Sequence, residues 1–111
     1  MHRLVLALVL VGCQSKGNKD LEAKYNQARD SVATKDKWSV ATQQLEEMLG
    51  PAQVKDALEW RWASVDGGFC YDLRIMKWEN QDKVRGVIGG HVNDQVKDRF
   101  ERCKAAAEGK K

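Results

Sequence analysis

Apolar residues at Leu21, Tyr25, Ala28 and Val32 recur at the i, i+4, i+7, i+11 spacing of one helical face. This predicts a helix from about Lys19 to Ala33. A second stripe, Trp38, Ala41, Leu45, Met48 and Leu49, keeps the same period but does not continue the face of the first. A break near Thr34 to Asp36 lets both stripes meet one core, and Thr34 and Asp36 are residue types that cap helix N-termini. The second helix is expected to end at Gly50-Pro51, because glycine takes the left-handed conformation that closes a helix and proline has no N–H to extend it.

Beyond Pro51 the period changes to 2. Leu58, Trp60 and Trp62 alternate with Glu59, Arg61 and Ala63, the pattern of a half-buried strand, and Asp66-Gly67-Gly68 supplies a hairpin turn. Phe69, Tyr71, Leu73 and Ile75 alternate with Cys70, Asp72 and Arg74 in a second strand running to about Trp78. After a turn at Glu79 to Asp82, Val84 to Ile88 reads as a third strand, ended by Gly89-Gly90. A last helix is signalled by Asn93 or Asp94 as cap and by Val96, Phe100, Cys103 and Ala107 on one face. Asp94 and Asp98 lie near its start and Arg99, Arg102 and Lys104 lie later, the order that suits the helix dipole. The expected fold is therefore α+β: two N-terminal helices packed on a three-stranded antiparallel meander, plus a C-terminal helix. Residues 20–107 form a single domain in this reading, and residues 108–111 fray.

The start of the chain follows neither period. Met1-His2-Arg3 precedes an apolar run from Leu4 to Leu10, about half of the roughly 20 residues a membrane-spanning helix requires, so it reads as a secretory signal. Leu10-Val11-Gly12-Cys13 resembles the bacterial lipobox, which implies removal of residues 1–12, lipidation of Cys13 and a flexible spacer over residues 13–19. The acyl chains would make the membrane a partner, each buried methylene contributing roughly 0.8 kcal/mol, and two or more chains give stable anchoring. Gln14 in place of Asp after the lipidated cysteine resembles the signal for release to the outer membrane. The expected location is its periplasmic face.

Charge and cysteine usage narrow the chemistry. The formal net charge is only +3, with both signs interspersed, which gives no footprint for nucleic acid. Apart from Cys13, the cysteines are Cys70 and Cys103, an even pair expected to form a disulfide in an oxidising compartment. A loop of that length contributes roughly 3 to 4 kcal/mol on the chain-entropy view. Such a bridge brings the last helix over the face of the sheet that carries Cys70, or around the edge near Phe69. A zinc site would need further ligands, and beyond the signal segment His91 is the one histidine, so no metal or cofactor is expected.

Catalytic signatures are missing from the sequence: there is no Gly-x-Ser-x-Gly, phosphate loop, His-Glu-x-x-His or Cys-x-x-Cys-His. An enzyme is not expected. Asp72 reads as an ion-pair partner of Arg74 or of a cross-strand cation, His91 as a surface histidine, and Trp60 and Trp62 as core. Trp78 and Arg74 fall, by alternation, on the face opposite Phe69, Tyr71, Leu73 and Ile75, and are the candidate partner-binding residues.

The stretch from Thr42 through Leu49-Gly50-Pro51-Ala52, the Trp-bearing Leu58-Glu-Trp-Arg-Trp62, and the hairpin closing at Asp82-Lys-Val-Arg-Gly-Val-Ile88 resembles the SmpA/OmlA family of small outer-membrane lipoproteins. The likeness spans roughly residues 37–90 and leaves out the helix with Cys103. It implies two helices packed on a three-stranded antiparallel sheet and a role in envelope assembly. The expected function is thus a lipid-anchored periplasmic protein-interaction module with an envelope protein as partner. Alternatives are a structural lipoprotein that stabilises the envelope without a discrete partner, and a small ligand-binding or inhibitory domain.

Overall fold

The computed structural model describes residues 18–110. Along the chain run α1 (Lys19–Val32), α2 (Trp38–Leu49), β1 (Val54–Lys55), β2 (Glu59–Asp66), β3 (Phe69–Lys77), β4 (Val84–Asn93) and α3 (Lys97–Ala107). The expected residues 1–12 signal, Cys13 and most of the spacer lie outside the described residues.

The four strands form one antiparallel sheet in the order β1-β2-β3-β4, which corrects the expected three-stranded meander. The additional strand is two residues long, Val54 opposite Arg61 and Lys55 opposite Trp60, too short to show alternation in sequence. It is held by backbone pairing that continues on either side, from Gln53 N–H to the Arg61 carbonyl at 3.0 Å and from Asp56 N–H to the Glu59 carbonyl at 2.8 Å. The Gln53 side-chain amide oxygen then accepts from Ala63 N–H at 2.9 Å, standing in for the next carbonyl of a longer strand. β4 also runs further than expected, through Gly89-Gly90 to Asn93. Gly89 does not end the strand but lets it pass close to its neighbours. A Cβ there would come within 3.2 Å of both Leu73 Cδ1 and Arg29 Cδ.

α1 and α2 lie against one face of this sheet. The predicted stripes meet as one core of Tyr25, Ala28, Val32, Trp38, Ala41 and Leu45 against Trp62, Tyr71, Leu73 and Ile75. Trp62 is fully buried, and its indole N–H donates to the Gly50 carbonyl at 2.8 Å, tying β2 to the end of α2. Trp60 is half-buried, edge-on to Trp38 at 5.8 Å, with the Lys55 ammonium 4.2 Å from its ring centre. Buried hydroxyls have partners: Tyr25 Oη and Ser64 Oγ are 2.8 Å apart, and burial pushes the Tyr25 phenol above its ordinary value. Tyr71 Oη accepts from Asn18 N–H at 2.9 Å, and Asn18 caps α1 through Leu21 N–H at 3.0 Å.

The caps of the other helices differ from expectation. α2 begins after Lys37, and neither Thr34 nor Asp36 caps it. Asp82, in the β3–β4 turn, does so from 43 positions away: its carboxylate accepts from Ser39 N–H and Ser39 Oγ–H, both at 2.8 Å. These bonds hold the Asp82 carboxyl below the ordinary carboxylate range. α3 begins after Val96 without a side-chain cap, and the Asn93 carboxamide is engaged instead by Gln95 N–H at 2.9 Å. Its buried face is Phe100, Cys103 and Ala106, whereas Val96, expected on that face, is exposed.

Candidate functional site

Cys70 points to the face of the sheet away from α1 and α2, and the disulfide to Cys103, with Cα atoms 6.1 Å apart, fixes α3 against that face. The contact is a second, smaller core in which Phe100, Cys103 and Ala106 pack on Val54, Ala63, Cys70 and Val92. These sheet residues run diagonally across the face, from Val54 opposite Arg61 through Ala63 opposite Asp72 to Cys70 opposite Val92. α3 therefore covers the second face along this diagonal and leaves the rest open. The open half carries Glu59 and Arg61 from β2, Asp72, Arg74 and Met76 from β3, and Ile88 and Gly90 from β4.

Charge on this open half is arranged as a checkerboard. Arg61 and Arg74 are direct cross-strand partners, an unfavourable pairing of like charges by itself. Each guanidinium turns instead to the carboxylate diagonally across. Arg61 Nη2 donates to Asp72 Oδ2 at 3.1 Å, and Arg74 Nη1 lies 3.9 Å from Glu59 Oε1. Asp72 thus has a cross-strand cation as its partner, not Arg74. Arg61 Nε is buried with no hydrogen-bond partner, and such a donor costs about 1–3 kcal/mol of lost hydration unless something binds it.

α3 adds two more guanidiniums. Arg99 and Arg102 lie three residues apart, and together with Arg61, Asp72 and Arg74 they line a cavity of about 360 Å³ beside Ile88 and Gly90. Among the described residues neither Arg99 nor Arg102 has an ion-pair partner. Arg74, singled out from sequence, lines this cavity. Sequence reasoning misses Arg61, Arg99 and Arg102, because the i, i+3 pair on α3 already fits the helix dipole.

Trp78, the other sequence candidate, follows β3 directly and is 47% exposed. Lys77, one position earlier and the last residue of β3, leans over the Trp38 ring at 6.0 Å on the helix-covered side. The Arg85 guanidinium sits 5.4 Å from its ring centre. Arg85 is the extra residue where the β3–β4 register shifts, since Met76 faces Gly86 and Lys77 faces Val84. That bulge aims a cation at the indole. Ile88 is 48% exposed on the open half. His91 belongs to the other face, opposite Tyr71, with Nδ1 3.9 Å from Glu22 Oε2.

Among the described residues no group of three His, Cys, Asp or Glu side chains could hold a metal ion, and no helix is long and apolar enough to cross a membrane. No family model, curated protein or solved structure matches the chain.

Proposed function

We propose that the chain is a lipid-anchored protein-interaction module of the bacterial envelope, tethered through Cys13 to the periplasmic face of the outer membrane. The anchor is inferred from the lipobox-like Leu10-Val11-Gly12-Cys13, and the envelope role draws on the SmpA/OmlA-like stretch. One observation supports the binding role most directly. The open half of the second sheet face presents Ile88, about half exposed, beside Arg74, and Trp78, equally exposed, follows the end of β3. Aromatic and Arg side chains on rigid elements are the residue types that dominate binding energy at protein interfaces.

The test is capture with the full-length protein in non-ionic detergent, comparing wild type with Trp78→Ala and Cys13→Ser. A stoichiometric envelope protein should be retained by wild type and weakened by Trp78→Ala by about 2 kcal/mol or more. The thermal midpoint should stay nearly unchanged. A palmitate analogue should label wild type and not Cys13→Ser. Retention of peptidoglycan or lipid alone would favour a structural lipoprotein, and unaltered capture by Trp78→Ala would remove this surface from the account.

A further inference from the structure

The charges of the four-arginine cavity do not cancel. Arg61, Arg74, Arg99 and Arg102 face two carboxylates, Asp72 and Glu59, which satisfy Arg61 and Arg74 only in part. Arg61 Nε remains without an acceptor. Guanidinium forks bind carboxylates through paired, charge-assisted hydrogen bonds, and here they converge from a sheet and from a helix that a disulfide holds in place.

From this we infer that the cavity receives the carboxylate side chains of an acidic, extended segment of the partner protein. The inference rests on the proposed binding role of this face. Two features favour a protein segment. Ile88, exposed at the margin of the cavity, offers an apolar contact next to the charges. Finally, the cavity is lined by β4, an edge strand, at Gly90, where an added Cβ would meet nothing within 4 Å. A strand laid along such a lining places alternate side chains about 7 Å apart on one side. Acidic residues at every second position would then reach successive guanidiniums.

Gly90 provides a substitution that closes the cavity without touching its charges. Its backbone φ is not in the left-handed region and the space above it is empty, so Gly90→Val fills that space with a residue suited to a strand. The test uses full-length protein in non-ionic detergent and a fluorescent peptide of alternating Glu and Val, with an alternating Gln and Val peptide as control. The Glu peptide should bind at least tenfold more tightly than the Gln peptide, and its affinity should fall as salt is raised. Gly90→Val and the double variant Arg99→Gln, Arg102→Gln should each lower that affinity at least tenfold while keeping the wild-type thermal midpoint. Equal binding of the two peptides, or full binding by either variant, overturns the inference. So does displacement of the Glu peptide by inorganic phosphate or by anionic phosphatidylglycerol vesicles at comparable anion concentration, which would mark a general anion site or a lipid surface. Failure here with Trp78-dependent protein capture intact would leave the interaction module standing without an acidic partner segment. Loss of both would remove the module as well.

Discussion

The two faces of the sheet are built on opposite terms. Under α1 and α2, aromatic and aliphatic side chains fill the space and the buried hydroxyls are paired. Under α3 the contact is small and crosses the sheet diagonally, and beside it the sheet shows arginines, carboxylates and Ile88. One face derives its order from burial. The other is held by a covalent bond, so it can leave polar and apolar groups open without losing the position of α3. In a domain of this size that division matters, because net stability is only about 5–15 kcal/mol and a face committed to binding cannot contribute its full share of buried area.

If the first face carries the fold, its central residue should be the most costly to remove. Trp62→Ala deletes a fully buried indole and its bond to the Gly50 carbonyl, and should destabilise by about 3–5 kcal/mol. Chemical denaturation would show this as a lower midpoint, and a loss below 1 kcal/mol would mean that the core lies elsewhere. The second face should respond differently to loss of its bridge. Cys103→Ala removes a link closing 33 positions of chain, with an expected cost of about 2–4 kcal/mol. Hydrogen exchange should then quicken in α3 while α1 and α2 stay protected. Uniform loosening of all three helices would show that the two faces are not separable.

A smaller effect is expected at Asp82, which ties the start of α2 to the β3–β4 turn. Because its bonds to Ser39 lower the carboxyl below its unfolded value, its contribution is present above about pH 4 and is lost as pH falls through the lowered folded value. The thermal midpoint of wild type should therefore fall more steeply with acidification in that window than that of Asp82→Asn. Parallel curves would contradict the capping role. Smallest of all is the effect of Trp78→Ala on stability: on an open surface it should shift the midpoint by no more than a surface substitution does, within about 0.5 kcal/mol.

The sealed face was legible in the sequence because it obeys period rules. Leu21, Tyr25, Ala28 and Val32 line the core side of α1, and Trp62, Tyr71, Leu73 and Ile75 alternate inward as their spacing requires. The pairing of Cys70 with Cys103 followed from cysteine count alone. The errors arose where a signal is either too short or too distant to read locally. Val54–Lys55 makes a strand from backbone pairing and the Gln53 amide, without alternation. Asp82 caps a helix 43 positions earlier, which no local cap pattern can show. Gly89 looked like a terminator but is a point of close approach to Leu73 and Arg29. The arginine cavity is hidden in sequence for a related reason: Arg61 and Arg74 alternate with the core, Arg99 and Arg102 sit on a distant helix, and the packing and disulfide of α3 bring them together. Arg74 and Trp78 could be singled out because strand alternation alone excludes them from the core.

The most direct test of the division between a face that folds and a face that binds compares two sites of equal exposure. Ile88 lies on the open half of the sheet at 48% exposure and Val40 on the outer side of α2 at 46%. A photo-crosslinking residue at position 88 or position 40 of the full-length protein in living cells samples each surface with the same access to solvent. Crosslinking to a discrete envelope protein from position 88, and not from position 40, is the predicted result. Crosslinking from position 40 alone, or equally from both, would contradict the account.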